Sequence, residues 1–259
     1  MRILLTNDDG IHAPGLWALH AALAPGHDVT VVAPDRERTG VGHGITLHQP
    51  LRAASLAVNA AQGYAVNGTP ADCVKLAVLE ILDGRPDLVV SGINPGANVG
   101  VNINYSGTVA AAREAALGGI PAIAASIDGH APRDFAPAAR FVRRLADRVA
   151  AHGLRPGTFL NVNFPDVPWE EVLGVRVSRQ GVSVFKEYVE KRLDPRNRPY
   201  YWQGADMQRF REDDPGIDGA ALRGRYVSVT PIRCDMTDYD GLDRLHGWGL
   251  ELNGHEGEA

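Results

Sequence analysis

The feature that most constrains this chain is an opening strand–helix–strand alternation that repeats over the next hundred residues. Arg2 to Thr6 is a short apolar run that stops at Asn7-Asp8-Asp9-Gly10. Gly15 to Leu23 carries Leu16, Leu19, Ala22 and Leu23 at helical spacing, and Asp28 to Ala33 is a β-branched run stopped by Pro34. The spacing predicts a further helix over Pro70 to Leu82, with Thr69 as N-cap and Pro70 in the first turn. It also predicts a strand over Asp87 to Ser91, an alanine-rich helix over Thr108 to Leu117, a strand over Ile120 to Ala125 and a helix over Pro137 to Ala151. Strands that alternate with helices close into a mainly parallel sheet covered on both faces. The expected class is therefore α/β: a Rossmann-like, doubly wound, three-layer fold.

The alternation weakens after residue 157. Phe159 to Asn163, Val172 to Ser178 and Tyr226 to Pro231 read as further strands, and Leu242 to Trp248 as a short helix. Residues 183–215 mix charged and proline residues with Phe185, Tyr188, Tyr200, Tyr201 and Trp202, the make-up of a projecting arm. The expected organisation is an α/β core over 1–157 that holds the site. A C-terminal part over 158–252 completes the sheet and forms an oligomerisation arm. The Gly/Glu-rich tail over 253–259 is expected to be disordered.

Bulk composition narrows the function classes. A chain of 259 residues can bury about 75% of its unfolded surface and needs no disulfide staple. Cys73 and Cys234 stand apart from any CxxC or Cys/His cluster, which argues against a zinc or redox motif. No apolar run reaches the roughly 18 residues of a membrane span, and residues 1–6 are too short for a signal peptide. A cytoplasmic protein without a membrane partner is expected. The formal charge is −5 and no Lys/Arg stripe is present, so polymeric nucleic acid is not an expected partner. A small anionic substrate needs local donors or a metal.

Three polar clusters fall where parallel strands end, the place where open α/β sheets bind ligands. In the first, Asp8 and Asp9 serve one site only if the chain bends, which Gly10 permits. Adjacent carboxylates repel unless a cation lies between them, and hard oxygen ligands suit Mg²⁺ or Mn²⁺. A solvated turn with an Asp cap fits the same residues. The second cluster runs from Asp35 through Thr39, Gly40 and His43 to Gly44. It offers a hydroxyl and backbone N–H groups for an anion, or is an ordinary glycine-rich connection. The residues that follow, Ile45-Thr46-Leu47, read as strand. The third holds Asn94 and Asn98 and runs on to Ser106-Gly107-Thr108 at a helix start. The unpaired N–H groups there make an anion site, although Ser106 and Thr108 also suit a plain cap. No GxGxxG, GxxxxGK[ST] or GxSxG motif is present, and no Asp-x-Asp pair follows the first strand.

Together these stretches resemble one family, the SurE survival-protein nucleotidases. The likeness lies in Ile3-Leu4-Leu5-Thr6-Asn7-Asp8-Asp9-Gly10, Val32-Ala33-Pro34-Asp35-Arg36, Gly68-Thr69-Pro70-Ala71-Asp72-Cys73-Val74, Ser91-Gly92-Ile93-Asn94 and Tyr105-Ser106-Gly107-Thr108-Val109-Ala110-Ala111-Ala112. Weaker matches are Asn161-Val162-Asn163-Phe164-Pro165 and Ser228-Val229-Thr230-Pro231-Ile232. The resemblance implies a phosphomonoesterase acting on nucleoside 5′- and often 3′-monophosphates, with one divalent cation per subunit. It also implies a homodimer or homotetramer. It places metal ligands on Asp8, Asp9, Thr39 and Asn94, catalysis on Asp8 and Asp9, and a phosphate loop on Ser106, Gly107 and Thr108. Gly40, His43 and Asn98 are candidate substrate contacts. Two departures stand out: Thr39 replaces the usual serine and keeps its oxygen, and Asn102 replaces a frequent aspartate. The rival classes are a nucleotide-sugar-dependent transferase and a non-catalytic nucleotide sensor.

Overall fold

A computed structural model describes residues 1–58, 61–132, 134–182, 186–206 and 214–250. In chain order the first half runs β1 (Arg2–Thr6), α1 (Pro14–Leu23), β2 (Asp28–Pro34), β3 (Ala53–Val58), β4 (Ala61–Val66), α2 (Pro70–Leu76), β5 (Leu88–Pro95), α3 (Gly107–Leu117), β6 (Ala122–Asp128) and α4 (Ala136–His152). The second half is β7 (Thr158–Pro165), β8 (Gly174–Val177), β9 (Lys186–Leu193), β10 (Pro199–Asp206), α5 (Asp218–Arg223), β11 (Tyr226–Arg233) and α6 (Tyr239–His246). One nine-stranded sheet has the order β3-β4-β2-β1-β5-β6-β7-β11-β8. Its six central strands, β4 to β7 in that order, are parallel throughout. β3 and β11 pair antiparallel with β4 and β7.

Strand alternation sorts the core into two layers. Ile3, Leu5, Val31 and Val90 face α1 and α4, where Leu16, Leu19 and Val142 are buried. Leu4, Val32 and Val89 face α2 and α3, where Val74, Val109 and Ala112 are buried. Burying each such Val, Leu or Ile contributes about 1.5–3 kcal/mol. The small alanines of α3 let that helix lie close over β5 and β6. The doubly wound three-layer class is therefore as expected, and the continuous sheet runs past residue 157 into β7, β11 and β8.

Chain order reverses between β1 and β5, because β2 and β4 build outward on one side and β6 and β7 on the other. At that switch point the loops after β1 and β5 part and leave a crevice at the strand ends. The helix boundaries explain themselves locally. Thr69 and Asp72 form a capping box at the start of α2, and Pro70 follows the cap. The predicted helix over Pro70 to Leu82 is in fact α2 followed by a π-helical turn over Ala77–Ile81.

Two local expectations fail. Ile45 to Leu47 is not a strand, because Thr46 spends its backbone N–H and its hydroxyl on the Asp72 carboxylate, at 2.9 and 2.6 Å. The β3–β4 hairpin has no counterpart in the expected elements. The arm is a two-stranded hairpin, β9 with β10, which pairs Tyr200, Tyr201 and Trp202 with Arg192, Lys191 and Glu190. The terminal helix begins at Tyr239, three residues ahead of its predicted start. Phe185 and the tail from Asn253 lie outside the described residues.

Candidate active site

Asp8 lies two residues past the end of β1 and is only 3% exposed. The bend after β1 is held by Asn7, whose side-chain amide donates to the Gly10 carbonyl at 3.0 Å and accepts from the Gly10 N–H at 3.2 Å. Gly10 itself has φ +99°, a conformation that suits glycine. This closed turn brings both Asp8 and Asp9 to one cleft rather than to opposite sheet faces. The cleft has a volume of about 710 Å³ and is also lined by Thr39, Gly40, Asn94, Asn98 and Ser106. Seven of the ten candidate residues thus share one cavity.

The other three stand differently. Gly107 lies behind Asp8, and a Cβ there would come within 2.7 Å of the Asp8 Cβ. Thr108 is fully buried, and its hydroxyl donates a short hydrogen bond to Asp8 Oδ1. Its side chain therefore orients a carboxylate and is not free to grip an anion. His43 turns away from the cleft: its Nε2 meets Glu114 Oε2 at 2.7 Å, and Lys75 Nζ meets the other oxygen at 2.7 Å. Hydrogen bonding from His43 holds the Glu114 carboxyl below its usual range, partial burial opposes this, and Lys75 adds to it.

The electrostatics of the aspartates follow from burial. Burial pushes the Asp8 carboxyl up, against the hydrogen bond from Thr108. Asp9 is pushed up to about 7, first by burial and then by the charges of Asp8 and Glu37. Asp9 Oδ2 is buried with no hydrogen-bond donor among the described residues. A buried carboxylate oxygen without a donor is costly unless a cation meets it. Thr39 donates its hydroxyl proton to Glu37 at 2.6 Å, which leaves its oxygen lone pairs free as acceptors. Asn94 donates its amide NH₂ to the Gly96 carbonyl at 2.7 Å, which likewise leaves its amide oxygen free. Two carboxylates, a hydroxyl and an amide oxygen make a hard donor set that fits Mg²⁺ or Mn²⁺. Among the described residues no group of three or more His, Cys, Asp and Glu gathers to hold a metal, so the set depends on its neutral oxygens.

Facing the aspartates is the N-terminus of α3. Ser106 is its N-cap and accepts from the Val109 N–H at 3.1 Å. The N–H groups of Gly107 and Thr108 favour the ionised Asp8 carboxylate, and that of Val109 is taken by Ser106, so the helix dipole and the Ser106 hydroxyl are what this end offers to the cleft.

Several contributors escaped the sequence reading. Glu37, Tyr105, Asp128 and His130 also line the cleft. Asn161 and Asn163, both fully buried on β7, hold the backbone of Asn98. Asn163 Oδ1 accepts from the Asn98 N–H at 2.8 Å, and both side chains donate to its carbonyl at 2.7 and 3.2 Å. The Asn98 side chain donates to Ser126 Oγ at 2.8 Å. The available signal was the Asn-x-Asn alternation in an apolar strand, since two amides on one buried face need partners.

Comparison with known proteins agrees with this architecture. The family described as Survival protein SurE matches residues 3–187. The chain is 60% identical over 252 residues to the 5'-nucleotidase SurE of Desulfatibacillum aliphaticivorans, covering 97% of this chain and 99% of that protein. It is 52% identical over 251 residues to the 5'-nucleotidase SurE of Syntrophobacter fumaroxidans, covering 96% of this chain and all of its relative. The crystal structure of the SurE protein from Aquifex aeolicus superimposes with a TM-score of 0.83 at 41% identity, covering 95% of this chain and 99% of that one.

Proposed function

The chain belongs to the SurE family, and from that premise we propose that it is a nucleotidase, releasing phosphate from nucleoside 5′-monophosphates and also from 3′-monophosphates. The relatives' shared name, 5'-nucleotidase, supports the reaction class, a phosphoric monoester hydrolysis. The observation that carries the reading is the pairing of a buried carboxylate, Asp8, and its half-buried neighbour Asp9 with a helix N-terminus across one cleft. One half suits a cation and the other an anion.

In this reading Asp8, Asp9, Thr39 and Asn94 hold one divalent cation, Mg²⁺ or Mn²⁺. When bound, that ion supplies charge neutralisation for phosphoryl oxygens. The Ser106 hydroxyl, which lines the cleft, and the positive end of the α3 dipole orient the phosphate, while Gly107 keeps that helix end close behind Asp8. Thr108 acts through Asp8 by fixing its rotamer. Asp8 or Asp9 takes up the proton of the attacking water as the P–O ester bond breaks, and the departing ribose oxygen is protonated in turn. Gly40 and Asn98 border the substrate, whereas His43 keeps the glycine-rich loop against α3 through Glu114.

No helix among the described residues is long and apolar enough to cross a membrane, and cytoplasmic residence belongs to the same reading. So does a homodimer or homotetramer in which the β9–β10 hairpin meets a second copy. Among the described residues the hairpin joins no other strand, and Tyr188, Tyr201 and Trp202 are each more than half exposed. Phosphate release from a panel of nucleoside monophosphates tests the activity. A sugar-nucleotide-dependent transferase releases none from a monophosphate, and a nucleotide sensor binds without turnover. Either result replaces the nucleotidase reading.

A further inference from the structure

The cleft that holds the carboxylates is also lined by Asp128, Gly129 and His130, at and just after the end of β6. Nothing in the phosphate chemistry uses these residues. Their placement follows from strand register. Asn94 on β5 pairs with Ser126 on β6, and Asp128 lies two residues farther along the same face. Side chains alternate along a strand, so Asp128 shares its face with Ala122 and Ala124, the face that α3 covers. A rise of two residues and one strand spacing put the Cα atoms of Asn94 and Asp128 about 8 Å apart. A nucleoside 5′-monophosphate reaches across such a span, because its phosphorus and its ribose diol are separated by the ester oxygen, one methylene and one edge of the sugar ring.

The chemistry of the wall fits that sugar. The Asp128 carboxylate receives no hydrogen bond among the described residues. Asp166 lies close behind, since a Cβ on Gly129 would sit 2.2 Å from its Oδ2. Partial burial and the Asp166 charge disfavour ionised Asp128, and the neighbouring His130 favours it. A carboxylate crowded in this way gains from neutral donors that bring no further charge. A vicinal diol supplies two, and each oxygen of a carboxylate accepts one.

We propose that Asp128 is the ribose-reading residue of this cleft, accepting hydrogen bonds from the free 2′,3′-diol of a nucleoside 5′-monophosphate, with His130 walling the nucleoside beside it. The consequence is a preference for 5′-ribonucleotides over their 2′-deoxy counterparts. A 3′-monophosphate, which has no free diol, gains nothing from Asp128. The inference deepens the nucleotidase reading and rests on it.

The experiment compares kcat/KM for the ribo and 2′-deoxyribo 5′-monophosphates of one base, in wild type and in Asp128→Ala and Asp128→Asn. A charged acceptor that loses one of two donors gives about a tenfold preference for the ribonucleotide in wild type. The Ala variant brings that ratio to near one, through the ribonucleotide's KM, and the Asn variant gives an intermediate ratio. Equal rates on both sugars in wild type overturn the inference without touching the nucleotidase reading, and need no variant. An unchanged ratio in folded Asp128→Ala overturns it as well. Release of phosphate from no nucleotide at all overturns the reading beneath it and the inference together.

Discussion

Thr108 and Asp8 are a hundred positions apart in sequence, yet the hydroxyl of one fixes the carboxylate of the other inside the protein. If Asp8 holds a cation, Thr108 is the residue that aims it. Replacing Thr108 by Val is expected to raise the divalent cation concentration for half-maximal activity about tenfold or more, while Thr108→Ser keeps it near wild type. A cation titration of phosphate release checks both. Equal midpoints for Val and wild type would remove Thr108 from the cation site.

Asp9 gives a second handle through pH. Its folded-state carboxyl is pushed up to about 7 from an ordinary 3.8, by burial and then by Asp8 and Glu37. The folded chain thus holds that proton more tightly than the unfolded chain does. This contribution to stability is fully present below about pH 4 and is lost as pH rises through about 7. Chelated protein is therefore expected to show a falling Tm from about pH 5 to about pH 8, and Asp9→Asn to flatten that fall. A Tm that climbs across the same window would contradict the burial argument. At this scale the sequence made the carboxylates, Thr39, Asn94 and Ser106 legible as cleft residues, because each sits at or after the end of a strand or at a helix start. The roles of Thr108 and His43 were not legible. Their partners, Asp8 and Glu114, are distant in sequence, and only the packing of α3 brings them near.

At the scale of elements, α1 approaches β5 so closely that Gly15 has no room for a side chain. A Cβ there would lie 2.1 Å from the Ile93 carbonyl oxygen. Gly15→Ala is expected to cost about 1–3 kcal/mol by forcing the helix off the sheet. It should also lower activity, since Asn94 is the next residue along β5. Urea unfolding and turnover read the two effects, and a variant as stable as wild type would show that α1 can shift freely. Elements rich in Val, Ile and Leu, such as β1, β2 and β5, announce themselves in sequence. The β3–β4 hairpin does not, because Ala53, Ala54, Ala57, Ala61 and Ala65 carry little strand preference of their own. It forms because β4 can extend the sheet beside β2. Ile45 to Leu47 misled for the opposite reason: β-branched residues lie in a loop whose hydrogen bonds go to Asp72.

For the whole molecule, the reversal of strand order at β1 and β5 decides where the cleft can be, and the three polar clusters meet there. The proposed contact of the β9–β10 hairpin with a second copy belongs to this scale. Deleting residues 186–203 is expected to lower the mass seen by light scattering while cation-dependent protection against heating persists. A wild-type chain that stays monomeric at micromolar concentration would refute the hairpin's role. The central claim is that Asp8 and Asp9, opposite the α3 N-terminus, make a cation-dependent nucleotidase. Its most direct test is phosphate release from a nucleoside 5′-monophosphate after exhaustive chelation and then with Mg²⁺ or Mn²⁺ restored, in wild type and Asp9→Asn. Chelated wild type is expected to be silent, restored cation to recover it, and Asp9→Asn to stay at least about a hundredfold slower, the scale of one lost catalytic group. Full turnover in chelated wild type, or in Asp9→Asn, would contradict that claim.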